Sequence, residues 1–238
     1  MRLIKTILRL LLQLAVVFFL ATLALVMVFK WVDPPTTSVM VINYLDARLD
    51  GQKKSLIKYQ WVDYRDVSPY MPLALIAAED QTFPFHRGFD FRAMKIAFKL
   101  NQRGRSIRGA STISQQVAKN LFLWLGRSYL RKGLEAYFTF LIETLWSKQR
   151  ILEVYMNIAG MGNNVYGVGA ASQYFFKKPV GMLTAQDAAL LAAVLPGPSR
   201  LRAARPSPYV LQRQNWVLTH MNLLGGVRYL NNVSALVP

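Results

Sequence analysis

An uninterrupted apolar run from Leu10 to Phe29 constrains this chain more than any other feature. It reads L-L-L-Q-L-A-V-V-F-F-L-A-T-L-A-L-V-M-V-F, with Gln13 and Thr22 as its polar members and no charge. At about 1.5 Å per residue, a helix of that length crosses the ~30 Å hydrocarbon core of a bilayer. Arg2, Lys5 and Arg9 precede the run. Positive charge tends to stay inside, so the N-terminus is expected in the cytoplasm and the rest outside. Lys30 and Trp31 suit the far interface. A cleaved signal peptide is the alternative. The run is longer than the usual signal core and no small-x-small cleavage site follows it, which favours an anchor that is kept. The expected organisation is a cytoplasmic N-terminus at 1–9, a transmembrane anchor at 10–31, a linker and membrane-proximal region at 32–60, and an exported domain at 61–238.

The formal charge is +17, from 29 Lys+Arg against 12 Asp+Glu. Such an excess draws a protein to a polyanion or to anionic lipid. On an exported, anchored domain it argues for anionic lipid or a phosphorylated lipid substrate, and against nucleic acid. The chain has no cysteine, which excludes disulfides and thiolate metal sites.

After a stiff Asp33-Pro34-Pro35 linker, helical patterns dominate and strand patterns are scarce. Helices are expected over 72–80, 90–102, 112–124, 129–146, 149–157, 184–194 and 208–224. Ser111 and Thr184 stand as N-caps. Gln102 to Gly109 reads as a basic mobile loop, Gly160 to Gly169 as a glycine-rich loop, and Pro196-Gly197-Pro198 as a helix breaker.

Three clusters could carry chemistry. In the first, Glu79-Asp80-Gln81-Thr82-Phe83-Pro84-Phe85-His86 follows an apolar helical segment. A carboxylate at the buried, negative end of a helix has its proton affinity raised, which suits general acid–base work. A salt-bridged carboxylate closing a helix would look the same. In the second, Ile113, Val117 and Leu121 form a buried stripe and Gln115 and Lys119 a polar row, with Gln116 beside them. Backbone N–H groups near Ser111 and Thr112 offer an anion site, and Lys119 adds a point charge. The pattern fits a pyrophosphate cradle and also an ordinary amphipathic helix. In the third, Arg131 and Lys132 stand at i, i+4 and i, i+3 spacing from Glu135. They form a cationic surface for phosphate, or a solvated face with weak ion pairs. Ser55-Leu56-Ile57-Lys58 matches the S-x-x-K of acylating transpeptidases, but no K-T-G follows it. His86 and His220 lack the spaced partners of a zinc site, and no dedicated metal site is visible.

Taken in order, these clusters resemble the peptidoglycan glycosyltransferases. That family supplies the N-terminal domain of class A penicillin-binding proteins and also exists as monofunctional biosynthetic transglycosylases. Its E-D-x-x-F-x-x-H-x-G is similar to Glu79–Gly88, its G-x-S-T-x-[ST]-Q-Q-x-x-K-N to Gly109–Asn120, and its R-K-x-x-E to Arg131–Glu135. Its K-x-x-I-L-x-x-Y-[LM]-N is similar to Lys148–Asn157, and its G-V-x-x-A-[AS] lies at Gly167 onward. The resemblance runs from about Trp61 to Pro198. The chain stops where a transpeptidase domain would begin, which makes the monofunctional branch the nearer match. Gly160, Gly169 and Phe175 depart from residues frequent in the family.

The resemblance implies a mainly α fold, a two-lobed lysozyme-like helical domain behind a transmembrane helix. It implies polymerisation of lipid II, a lipid-linked disaccharide-peptide, into β-1,4 glycan strands, with polyprenyl pyrophosphate released by one-step inversion. Glu79 would be the general base and Glu135 the second catalytic carboxylate. Lys119, Arg127 and Lys132 would hold the pyrophosphate, with Ser111, Thr112, Gln115, Gln116 and Asn120 shaping the substrate site. Asp80, Phe83, His86 and Arg131 would support it. No cofactor is required, although stimulation by a divalent cation such as Mg or Mn is known in such enzymes. The implied location is the bacterial inner membrane, single-pass, with the domain on the periplasmic side. The implied partners are lipid II, the growing glycan, anionic lipid and other wall-synthesis or division proteins. A lytic enzyme would also use a helix-borne glutamate, but cleaving a glycosidic bond releases no pyrophosphate to occupy the cations. A non-enzymatic anchored scaffold would have no need of Glu79.

Overall fold

The computed structural model describes residues 2–49, 56–102, 111–126 and 128–234. Two compact units emerge, Met1–Pro34 and Pro35–Pro238. The first is a single helix, α1 (Arg2–Trp31), long and apolar enough to cross a membrane. Thr22 does not interrupt it, because its hydroxyl donates to the carbonyls of Phe18 and Phe19 at 2.8 and 3.0 Å.

The second unit opens with α2 (Ser38–Leu49). Its first residue is tied down: Ser38 Oγ contacts the carbonyls of Asn120 and Leu123 at 3.1 and 2.5 Å. The core follows from two helix groups. In one, α3 (Tyr70–Glu79) packs against α9 (Ala185–Val194) and α10 (Pro208–Leu223). Met71 to Ala77 are all buried, so α3 is apolar around its circumference rather than along one stripe. Burying Leu73, Leu75 and Ile76 contributes roughly 1.5–3 kcal/mol each before chain entropy is counted. The alanines of α9 let it approach α3 closely. In the other group, α5 (Ile113–Phe122) packs against α6 (Tyr129–Leu145) and α7 (Lys148–Ile158), and α7 also touches α3. The stripe of Ile113, Val117 and Leu121 is buried as its spacing implies. Between the groups in sequence lies α4 (Phe91–Gln102), whose Phe91, Ile96 and Phe98 are exposed. The expected basic loop falls, from residue 103 onward, outside the described residues.

The caps explain the boundaries. Ser128, Ser147, Thr184 and Ser207 each accept a backbone N–H as N-caps. Ser111 is not the cap of α5. Thr112 is, in a capping box with Gln115, because T-x-x-Q supplies both halves of that reciprocal bond. Gly160 to Gly169 is not a plain loop either. It holds β2 (Gly160–Gly162), β3 (Val165–Tyr166) and the start of α8 (Val168–Ala171). With β1 (Lys58–Tyr59) these make a small sheet in the order β1-β3-β2, β1 parallel and β2 antiparallel to β3. Two- and three-residue strands are too short to show alternation in sequence. Asn157 clamps the entering chain by accepting from Val62 N–H and donating to Val62 O, both at 2.9 Å. Two glycines are fixed by contact. A Cβ at Gly167, where φ is +78°, would lie 2.4 Å from the Asn157 carbonyl, and one at Gly169 would lie 2.7 Å from that of Gln60.

Candidate active site

The two helix groups meet where α3 ends. Glu79 is its last residue and lies at the negative end of the helix, half-buried with 17% of its side chain exposed. Gln116 on α5 donates its Nε2 to Glu79 Oε2 at 3.0 Å. Gln116 Oε1 in turn accepts from the buried Tyr155 hydroxyl of α7 at 3.0 Å. Burial pushes the Tyr155 phenol well above its usual range, so it stays protonated and stays a donor. The amide between them therefore has one orientation. Loss of hydration raises Glu79 above the ordinary glutamate range, and this outweighs the opposing Gln116 bond and the cations Arg213 and Lys119. A half-buried carboxylate with raised proton affinity is suited to taking a proton from a hydroxyl.

Asp80 faces the other way and is buried. Its carboxylate lies 2.9 and 3.0 Å from His86 Nε2 and accepts from Ile113 N–H at 3.0 Å. Gly88 N–H donates to His86 Nδ1 at 3.1 Å, which leaves Nε2–H to donate to Asp80. The anion at the start of α5 is thus the protein's own Asp80. Thr112 is buried and donates to the Gly88 carbonyl at 2.7 Å, and Gln115 is turned back into the cap. Only Ser111 of this group is exposed. Phe83 is buried beneath the Lys148 ammonium, 4.6 Å from its ring centre, with His86 edge-on. Lys148 also donates to His86 O at 2.6 Å and to Glu143 at 2.8 Å, and Ser114 donates to the same carboxylate. Asp80, Phe83 and His86 are therefore one packed wedge that joins the end of α3 to the start of α5. Asp80→Ala leaves His86 Nε2–H and Ile113 N–H without an acceptor. We expect it to cost about 2–4 kcal/mol in a denaturant titration, and activity with it.

The cations Lys119, Arg131 and Lys132 stand on α5 and α6. Lys119 stands one turn beyond Gln116 on α5, largely desolvated, which lowers its proton affinity against the pull of Glu135 and Glu79. Among the described residues no carboxylate lies within ion-pair distance of it. It lines a cavity of about 580 Å³ with Gln116, Asn120, Tyr155, Gly160 and Asn164. On α6, Glu135 has a side chain only 3% exposed and is gripped by both Arg131, at 2.9 Å, and Lys132. Lys132 keeps 49% of its side chain in solvent. The i, i+3 and i, i+4 pairs read from sequence are made, and Glu135 is far more buried than a solvated helix face would leave it. Arg127 falls outside the described residues. Glu79, Asp80, Ser111 and Thr112 line a second cavity, of about 390 Å³, with Ala93, Ile96 and Trp216. Glu79 thus borders one cavity, while its partner Gln116 borders the cationic one.

Sequence reasoning missed Tyr155 and Arg213. Tyr155 falls within the quoted K-x-x-I-L-x-x-Y-[LM]-N segment, but helical spacing alone makes it a core aromatic. Arg213 comes from α10 with no motif around it.

A half-buried glutamate and a desolvated lysine thus come together near the junction of two helix groups, and the chain belongs to the transglycosylase family, whose sequence model matches residues 48–222. The helical lysozyme-like fold of that family is the fold of this domain. The chain is similar to proteins named biosynthetic peptidoglycan transglycosylase. One from Mannheimia succiniciproducens is 52% identical over 89% of this chain and 86% of its own length. One from Xylella fastidiosa is 51% identical over 94% and 91%, and one from Xanthomonas campestris pv. campestris 48% over 90% and 87%.

Proposed function

We propose that this enzyme polymerises lipid II into β-1,4 glycan strands of peptidoglycan on the periplasmic face of the bacterial inner membrane, anchored by α1. The observation that carries this reading is the desolvated Lys119, lining a cavity one helical turn from the residue that holds Glu79. An anionic leaving group is what completes such a cation. Glu79 takes the proton from the 4-hydroxyl of the acceptor sugar as that oxygen attacks the donor's anomeric carbon. The bond from that carbon to the pyrophosphate breaks, and its electron pair leaves with polyprenyl pyrophosphate. Charge grows on the pyrophosphate oxygens, where the cations Lys119, Lys132 and Arg127 would stabilise it. Glu135 fixes Arg131 and Lys132 in place. The donor carries its own activated leaving group, so the reaction needs no resident cofactor.

Direct inversion makes the product β-linked from an α-linked donor, with one polyprenyl pyrophosphate released per bond formed. NMR of the polymer and chromatography of the released lipid test both. An α-linked product, or a covalent glycosyl-enzyme trapped on Glu79, would contradict the single-step mechanism.

A further inference from the structure

The groups that face Glu79 come from four elements. They are Gln116 and Lys119 of α5, Tyr155 of α7, its own neighbour Asp80, and Arg213 of α10. All but the last already have a role, in the mechanism or in the packing around it. Arg213 Nη2 lies 3.7 Å from Glu79 Oε1, the oxygen not bonded to Gln116. Its Nε is buried and has no hydrogen-bond partner among the described residues. The guanidinium is instead held by packing. It lies 6.0 Å from the Trp216 ring centre, and Trp216 is stacked on His220 at 3.8 Å. His220 Nδ1 is 2.8 Å from the Trp216 carbonyl, so the Arg213, Trp216 and His220 side chains form one braced row along α10. Since α10 packs on both α3 and α9, the row is delivered to the end of α3 by rigid elements.

We propose that Arg213 is a positioning residue for Glu79, orienting its free carboxylate oxygen and supplying the counter-charge that keeps it ready to accept a proton. This rests on the reading of Glu79 as general base. The electrostatics agree in sign: Arg213 favours the charged carboxylate, whereas burial and Asp80 oppose it. Removing the guanidinium leaves Lys119 and the Gln116 bond to counter desolvation. The proton then leaves Glu79 at higher pH, and the acidic limb of the rate profile moves with it.

The test is the pH profile of kcat/KM on lipid-linked disaccharide-pentapeptide, using the full chain in detergent. Wild type is compared with Arg213→Met, which keeps the aliphatic stem on Trp216, and with Arg213→Lys. The Met variant should lose on the order of tenfold on the acid side and progressively less as the pH rises, with its limb displaced upward. The Lys variant should restore the limb. If the Met variant does not fold, Arg213→Gln carries the same comparison. A rate that falls equally at every pH, or a limb that does not move, would overturn the proposal. Glu79→Gln is run alongside. Activity in that variant would remove the general-base reading itself, whereas an inactive Glu79→Gln with an unmoved Arg213 limb removes only the role of Arg213.

Discussion

Glu79→Gln abolishes polymer formation, with a loss of at least about a thousandfold in kcat, and leaves the domain folded. The substitution is nearly isosteric, and the amide oxygen can still accept from Gln116 Nε2, so the bridge between α3 and α5 survives. What disappears is the group able to take a proton. The stability of the variant runs the other way. Burial raises Glu79 above the ordinary glutamate value in the folded chain. A carboxyl with a raised folded value contributes stability that is full below its unfolded value and is lost as the pH rises through the folded one. At neutral pH the wild-type carboxylate therefore weakens the fold that holds it, and the glutamine does not. Circular-dichroism melts should show Glu79→Gln at or above wild type near pH 7, with the gap closing towards acid. An inactive variant that also melts well below wild type would make Glu79 a structural residue.

The second large effect belongs to Lys119. Lys119→Met keeps the aliphatic stem and removes the charge, and should lower kcat by about 10²–10³ with a smaller change in KM. The size follows from the setting. Lys119 is largely desolvated, so its field is little screened by water and acts where charge grows during bond breaking. Lys132 is half in solvent and already occupied by Glu135, so its removal should cost less. A change confined to KM would mean that Lys119 binds ground and transition states alike, and would move the leaving-group site elsewhere.

Much of this was legible in sequence for identifiable reasons. The anchor needs only a run of twenty uncharged, mostly apolar residues. Helix α5 shows itself by its apolar period, and α9 by its alanine- and leucine-rich run behind the Thr184 cap. The Arg131–Lys132–Glu135 pairs are local, made within one turn of helix, so spacing alone places them. Other features depend on chain segments far apart in sequence. Nothing around Asp80 announces that it caps α5, because its partners are a histidine six residues on and a backbone N–H in the next helix group. The anion expected at that helix start was sought in the substrate, while the fold supplies its own. Gln115 and Gln116 are adjacent and alike, yet one closes a cap and the other holds Glu79. Gln115 closes the cap because Thr112, not Ser111, is the N-cap, and the reciprocal partner lies three residues beyond it. Arg213 reaches the site because α10 folds back over α3, which no local pattern encodes.

The most direct measurement is polymerisation by detergent-purified full chain supplied with lipid-linked disaccharide-pentapeptide, scored as lysozyme-sensitive product, with Glu79→Gln in parallel. Polymer from wild type alone is the predicted result; absence of polymer from well-folded wild type, with or without added Mg or Mn, or polymer from both proteins, would contradict the account.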